Sequence, residues 1–130
     1  QAKWQNPVLE NFGLLYNQAI MHLTQNAEKL MHKKIPLMVQ AYFEDMHNIL
    51  TQLRQKAKDD AQLWLVVSNS AYADREIPVD LIIGDIGAQA GWYLKEIAVM
   101  RYIKRRKTNS CPNINQLRES VVIFSAKRGK

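Results

Sequence analysis

The chain has 130 residues, which is enough for one domain with a buried core and too few for two of ordinary size. Hydrophobic residues make up 47% and charged residues 23%, so the composition is that of a globular protein and argues against disorder. No apolar run approaches the roughly 20 residues of a membrane-spanning helix, and the single cysteine, Cys111, excludes a disulfide framework. We therefore expect a cytoplasmic protein without membrane contact.

The net charge of +6 is concentrated in the last third of the chain. Residues 1–94 carry 8 basic and 10 acidic side chains, whereas residues 95–130 carry 10 basic and 2 acidic ones. The cationic side chains include Arg101, Lys104, Arg105, Arg106, Lys107, Lys127, Arg128 and Lys130. Such asymmetry predicts a polyanionic partner, with Arg101 and the 104–107 run contacting phosphates without reading bases. The alternative is a solvated loop and a basic tail at 127–130.

The N-terminal segment, residues 1–35, predicts one or two short helices, and Pro7 suits a first helical turn. From Pro36 the spacing of apolar residues predicts an amphipathic helix that ends near Ala57. On this pattern, Tyr42, Phe43 and Met46 belong to the core, and an aromatic binding surface is the less favoured alternative.

A short apolar run follows, from Leu63 to Val67, and ends in three small polar residues. Unbroken runs of this length are typical of strands covered on both faces in parallel α/β sheets, where ligands bind beyond the carboxyl ends of strands. Ser68, Asn69 and Ser70 are therefore candidate substrate-binding residues. The alternative is that Asn69 and Ser70 form a turn and cap its backbone.

The rest of the chain predicts a loop over residues 71–77, a helix over 78–90 and two strands, at 93–104 and 120–124. Asp80 falls in the first turn of that helix, and Gly91 suits its end. Because no helix separates the last two strands, we expect them to pair antiparallel. The predicted order is helix, strand, helix, strand, strand.

This order resembles the distal half of a class I S-adenosylmethionine-dependent methyltransferase. The closest family is the bacterial DNA methyltransferases that modify an exocyclic amino group of adenine or cytosine. The matching stretches are Tyr42–Met46, Leu65–Ser70, Ile77–Asp80, Gly91–Arg101 and Leu117–Ile123, within residues 36–126. The resemblance implies an α/β fold with a partial Rossmann-like sheet and an antiparallel C-terminal hairpin. It places the strand at 118–126 between those at 62–68 and 93–104.

The motifs that carry catalysis in that family are missing from the chain. The family holds its cofactor with a glycine-rich turn after its first strand, and its catalytic tetrapeptide contains two adjacent prolines. Here the four prolines are all separated, and Gly84, Gly87 and Gly91 lie in or after a helix rather than after a strand. We therefore assign no catalytic residue and no metal site, and we expect no S-adenosylmethionine binding by this chain alone. Arg118 and Glu119 open the last predicted strand, and we expect them to form a paired structural support rather than a binding site.

The first functional hypothesis is a fragment or truncated form of a DNA amino-methyltransferase that contributes one wall of the base site and a basic DNA-facing edge. The alternative is a non-enzymatic module with the same half-fold that binds nucleic acid or oligomerises. No Ser/His/Asp or paired-carboxylate arrangement supports an unrelated hydrolase. In the family's sheet the strand at 62–68 is internal. We therefore expect its free edge to be covered by residues 1–34, by a second copy or by a missing catalytic half.

Overall fold

A computed structural model describes residues 12–30 and 32–128 of the chain. The expectations for Pro7 and Lys130 lie outside these residues. The helices are α1 (Leu14–Gln25), α2 (Ile35–Lys56) and α3 (Val79–Gln89), with a short 3-10 turn at Ala27–Lys29. The strands are β1 (Gln62–Ser68), β2 (Ser70–Tyr72), β3 (Arg75–Ile77), β4 (Tyr93–Lys104) and β5 (Gln116–Ser125).

The larger sheet has three strands in the order β1–β5–β4, and both pairings are antiparallel. The expected central position of the last strand is therefore confirmed. Leu65 and Ile97 both pair with Val122, which lies at the centre of this sheet and is fully buried. The connection between β4 and β5 contains no helix, and this forces the two strands to run in opposite directions.

Helix α3 covers one face of this sheet and contacts all three of its strands. Gly87 allows the close approach, because a Cβ at this position would overlap the ring of Phe124 in β5. Helix α2 packs on α3, and α1 packs on both. Trp92 lies between α3 and β4. Its Nε1 donates a hydrogen bond to the Leu50 carbonyl oxygen at 2.9 Å, which attaches α2 to the connection between α3 and the sheet.

Strand β1 is not covered on both faces, and that sequence expectation is wrong for the described residues. Leu63, Leu65 and Val67 face the helices, whereas Trp64 and Val66 on the other face are 62% and 60% exposed. The reason is that the described helices contact the sheet from one side. An apolar run of five residues does not reveal whether a second layer is present.

The segment 71–77 is also not a simple loop. Strands β2 and β3 form a hairpin, in which Tyr72 pairs with Arg75. The two residues between them, Ala73 and Asp74, have φ angles of 49° and 61°. Two-residue hairpins favour such left-handed pairs, usually with Asn-Gly or Asp-Gly. An Ala-Asp pair gave no turn signal in the sequence.

The described residues thus form a mixed helix-and-strand fold with antiparallel sheets. Helices α2 and α3 lie within one or two residues of their predicted bounds, and β4 matches its prediction at both ends. None of the helices in this part of the chain is both long and apolar enough to cross a membrane.

The two glycines inside α3 allow a matched test of the contact with β5. Gly87→Ala should lower the free energy of unfolding by about 1–3 kcal/mol, because the added methyl overlaps the Phe124 ring. Gly84→Ala should stay within about 1 kcal/mol of the wild type, since its Cβ would meet the flexible end of Leu94 at 3.1 Å and alanine favours the helix. Urea denaturation measures both. A Gly87→Ala protein as stable as Gly84→Ala would contradict the packing described.

Candidate functional site

A pocket of about 330 Å³ opens at the carboxyl end of β1, between α2, the β2–β3 hairpin and the start of α3. Its walls are mainly apolar, with hydroxyl groups contributed by two serines and two tyrosines. The lining residues are Met38, Val39, Tyr42, Phe43, Ser68, Ser70, Tyr72, Ile77 and Val79. An apolar pocket with a few polar groups is the usual form of a small-molecule site.

Two of the three predicted substrate-binding residues line this pocket, and the third is turned away from it. Ser68 and Ser70 are two positions apart and contribute to the same wall. Asn69 lies between them and is only 2% exposed. Its Nδ2 donates to Glu76 Oε2 at 2.8 Å, and its Oδ1 accepts from the Asp80 backbone N–H at 3.2 Å. Asn69 therefore binds β3 and the first turn of α3, rather than the backbone of its own turn as the sequence alternative had it.

Tyr42 and Tyr72 are partly buried and line the pocket from α2 and from β2. Burial raises the pKa of the Tyr42 hydroxyl above its ordinary value. Burial also raises the pKa of Tyr72, although the positive charge of Arg105 acts in the opposite direction. Tyr42 is 42% exposed and lines the pocket, so it is not simply the core residue that the sequence pattern predicts.

The starting point of α3 is fixed by a buried ion pair. Asp80 is fully buried, and both of its carboxylate oxygens accept hydrogen bonds from Arg118 in β5, at 2.8 and 2.9 Å. Ser120 donates a further hydrogen bond to the same carboxylate at 2.8 Å. The hydrogen bond to Asp80 is the main reason that the pKa of Arg118 is raised. Arg118 has the structural role that was expected, but its partner is Asp80 rather than Glu119.

The predicted nucleic-acid-binding residues divide into two groups. Lys104, Arg106 and Lys107 are exposed at the end of β4. Arg105 is tied to its own loop, since its Nη1 donates to the carbonyl oxygens of Cys111 and Ile114 at 3.4 and 3.2 Å. Arg101 Nε donates to Glu119 Oε1 at 2.7 Å, which partly neutralises its charge.

The loop that follows the basic run is anchored to the β2–β3 hairpin. The Asp74 carboxylate accepts hydrogen bonds from the backbone N–H and the side-chain amide of Asn113, at 2.8 and 2.6 Å. This contact crosses from the hairpin turn to the β4–β5 loop, and sequence reasoning missed it. The hairpin therefore connects the pocket wall at Tyr72 to the loop that follows the basic run.

The glycines of α3 pack against the sheet. Gly84 and Gly87 lie inside α3, as the sequence pattern predicts, and they face side chains of β4 and β5. Within residues 12–30 and 32–128, no group of three or more His, Cys, Asp or Glu side chains is placed to hold a metal ion.

The sequence is similar to part of known methyltransferases. Over 73 residues, or 56% of this chain, it is 32% identical to the Type II methyltransferase M.AvaI of Nostoc sp. (strain PCC 7120). A protein of the same name from Anabaena variabilis matches to the same extent. The matched region spans 15% of the length of each relative. No protein-family model matches the chain, and no solved structure matches it significantly. The alignment supports a relationship to Type II methyltransferases.

Strand β5 takes part in two ion pairs, Arg118–Asp80 and Arg101–Glu119. Their separate contributions to the stability of the site can be tested. Asp80→Asn should lower the free energy of unfolding by about 2–4 kcal/mol, because it leaves the Arg118 cation without its buried counter-charge while Arg118 itself is only 27% exposed. Glu119→Gln removes an exposed pair of the same strand and should cost at most about 1 kcal/mol. Chemical denaturation at neutral pH measures both. Equal losses in the two variants would contradict the role given to Asp80.

Proposed function

We propose that this chain forms the part of a DNA amino-methyltransferase that lies beside the target base and faces the DNA. The similarity to Type II methyltransferase M.AvaI over 73 residues carries the proposal. The strand order β1–β5–β4 supports it, because the resemblance of the sequence to that family predicts the last strand between its two neighbours. The reaction of the intact enzyme is transfer of a methyl group from S-adenosylmethionine to an exocyclic amino nitrogen of adenine or cytosine.

The pocket at the end of β1 would form one wall of the base site. Ser68 and Ser70 supply hydroxyl groups that can donate to or accept from the edge of a base, and the apolar residues around them suit its flat faces. Asn69 would act indirectly, by holding the start of α3 in place. In this proposal no residue of the chain performs the chemical step.

The cofactor would be held outside the described residues. Strand β1 is followed at once by Asn69 and the β2–β3 hairpin, so no glycine-rich turn follows it. The glycines of α3 are occupied by packing against the sheet. S-adenosylmethionine would therefore bind to the missing catalytic half, and the present chain would complete the base site.

The open edge of β1 supports the idea of a missing segment. Strand β4, at the opposite edge of the sheet, contains two irregularities, between Leu94 and Glu96 and between Val99 and Arg101, which discourage pairing with another strand. Strand β1 pairs with β5 over seven residues without irregularity and contains no charged residue. Among the described residues no strand pairs with its other side. The first helix packs on α2 and α3, so it does not supply the missing strand.

The exposed side of α2 points to the same conclusion. Four large apolar residues on this helix are exposed: Met38, Tyr42, Ile49 and Leu53. The first two of these, Met38 and Tyr42, line the pocket at the end of β1 together with Ser68. A catalytic segment added along β1 would cover both the strand edge and this end of α2.

A second candidate is a non-enzymatic module that oligomerises through β1 and binds nucleic acid. The uncharged, regular edge of β1 favours this candidate as well, because two copies of such a strand can pair. The two candidates differ in what covers the open edge of β1. In the methyltransferase candidate it is a catalytic segment, and in the non-enzymatic candidate it is another copy of this chain.

The DNA-facing role of the basic run can be tested through the salt dependence of DNA affinity. Changing Lys104, Arg106 and Lys107 to Ala should weaken binding to duplexes of different sequence to a similar extent. It should also make the slope of log K against log salt shallower by about 2–3, since each lost phosphate contact removes about 0.9. Fluorescence anisotropy with a labelled duplex at several salt concentrations measures both quantities.

A matched control changes Lys56, Lys58 and Lys127 to Ala. These lysines are also exposed. They lie near the start of β1 and the end of β5, at the end of the sheet away from the 104–107 run. The control should keep most of the wild-type slope. An equal change of slope in both triple variants would show that the binding follows net charge, and it would contradict a DNA-facing surface at 104–107.

The open edge of β1 can be tested by the association state of the chain. We expect the purified chain to associate as its concentration rises, and Val66→Lys to reduce this association, because it places a charge on an exposed strand edge. Val99→Lys, on the irregular edge strand β4, is the matched control and should have little effect. Analytical ultracentrifugation measures the distribution. Open-ended association supports the first candidate, a discrete dimer that depends on Val66 supports the second, and a monomer at all concentrations contradicts both.

A further inference from the structure

The distal half of the β4–β5 ribbon extends past the helix that covers the sheet. Ser120 marks the limit of this cover, because it is buried and bonded to Asp80 in the first turn of α3. Strand β1 ends with Ser68 opposite Glu119. Beyond that pair, residues 102–104 of β4 and residues 116–118 of β5 form a two-stranded ribbon.

Large apolar side chains are concentrated on the β4 strand of this ribbon. Four of them are exposed in the space of five residues: Val99, Met100, Tyr102 and Ile103. Tyr102 has the largest exposed fraction of the four, at 60%. Surface patches of this kind mark interaction sites more often than isolated exposed residues do. The irregularity at Met100 disfavours strand pairing as the mode of interaction.

Several cationic residues neighbour Tyr102 in the ribbon or follow it in the chain. Arg118 is its cross-strand partner, although its guanidinium is paired with Asp80. Lys104 is two residues further along the same strand and therefore on the same face, and Arg106 and Lys107 follow. Aromatic rings flanked by cations are the usual platform for single-stranded nucleic acid, in which bases stack on the ring and phosphates contact the cations.

We propose that Tyr102 is a stacking residue for an unpaired nucleobase, so that the ribbon binds single-stranded DNA alongside its phosphate contacts. The inference rests on the proposed phosphate contacts of Lys104, Arg106 and Lys107. It adds a contact that requires exposed base faces. Tyr102 would therefore favour single-stranded over duplex DNA, whereas the lysines and arginine would contact both.

The test compares Tyr102→Ala with the wild-type chain on a labelled oligothymidine and on a duplex of equal length, by fluorescence anisotropy. Loss of one stacked base should reduce affinity for the single strand about 5- to 150-fold. It should leave duplex affinity within about twofold. The salt slope should not change, because no phosphate contact is lost. Tyr102→Phe should retain single-strand affinity, since stacking uses the ring rather than the hydroxyl group.

Tyr93→Ala is the matched control, because Tyr93 is 46% exposed on the same strand but lies at its other end. It should leave both affinities unchanged. If wild-type binding is salt-dependent and Tyr102→Ala binds the single strand as tightly as wild type, the stacking role fails while the phosphate contacts stand. If the wild-type chain shows no salt-dependent binding to either DNA, the phosphate contacts fail and the stacking role fails with them.

Discussion

The buried Asp80 carboxylate is the point on which the rest of the architecture depends. A charge with no exposed surface is tolerated only when it is paired and hydrogen-bonded. Arg118 and Ser120 meet this requirement from β5, and Asn69, at the end of β1, accepts a hydrogen bond from the Asp80 backbone. Pro78 precedes α3 and provides no side-chain cap, and Asn69, just after β1, accepts from the α3 backbone instead. Asp80 thus joins the start of α3 to β5 and to the end of β1.

The two functional regions lie on either side of this ion pair. The pocket, with Ser68 and Ser70, lies on the α2 side, and the ribbon with Tyr102 and Lys104 lies beyond Arg118. The hydrogen bonds between Asp74 and Asn113 connect them, because they join the hairpin that lines the pocket to the loop that follows the basic run. In the proposed function, a base in the pocket and a phosphate on the basic run would be bound by these connected elements.

The uneven protection of the sheet edges fits a chain that functions in contact with another polypeptide. Natural sheets protect free edges with charges, irregular pairing or covering segments, and β4 has irregular pairing. In the part of the chain that the structure describes, β1 has none of these protections, and Trp64 and Val66 add exposed apolar surface beside its open edge. The energetic cost of leaving such a surface in water is removed when a further strand or segment covers it.

Local pattern was sufficient for the secondary structure and for part of the site. The three-and-four spacing predicted α2 and α3, the apolar runs predicted β1, β4 and β5, and the lack of a helix between β4 and β5 predicted their antiparallel pairing. The central position of β5 came from the family resemblance and is confirmed. The sequence also placed Ser68 and Ser70 at the end of a strand, and they line the pocket.

The tertiary structure alone decided which of these polar residues are free to act. Asn69 is taken up by Asp80 and Glu76, Arg105 by loop carbonyls and Arg101 by Glu119, and each of these partners is distant in sequence or lies in another element. The β2–β3 hairpin was missed because its turn lacks glycine and asparagine. The sequence determines the elements because periodicity and turn chemistry act over a few residues. The availability of a side chain depends on partners brought together by folding, and no local pattern encodes them.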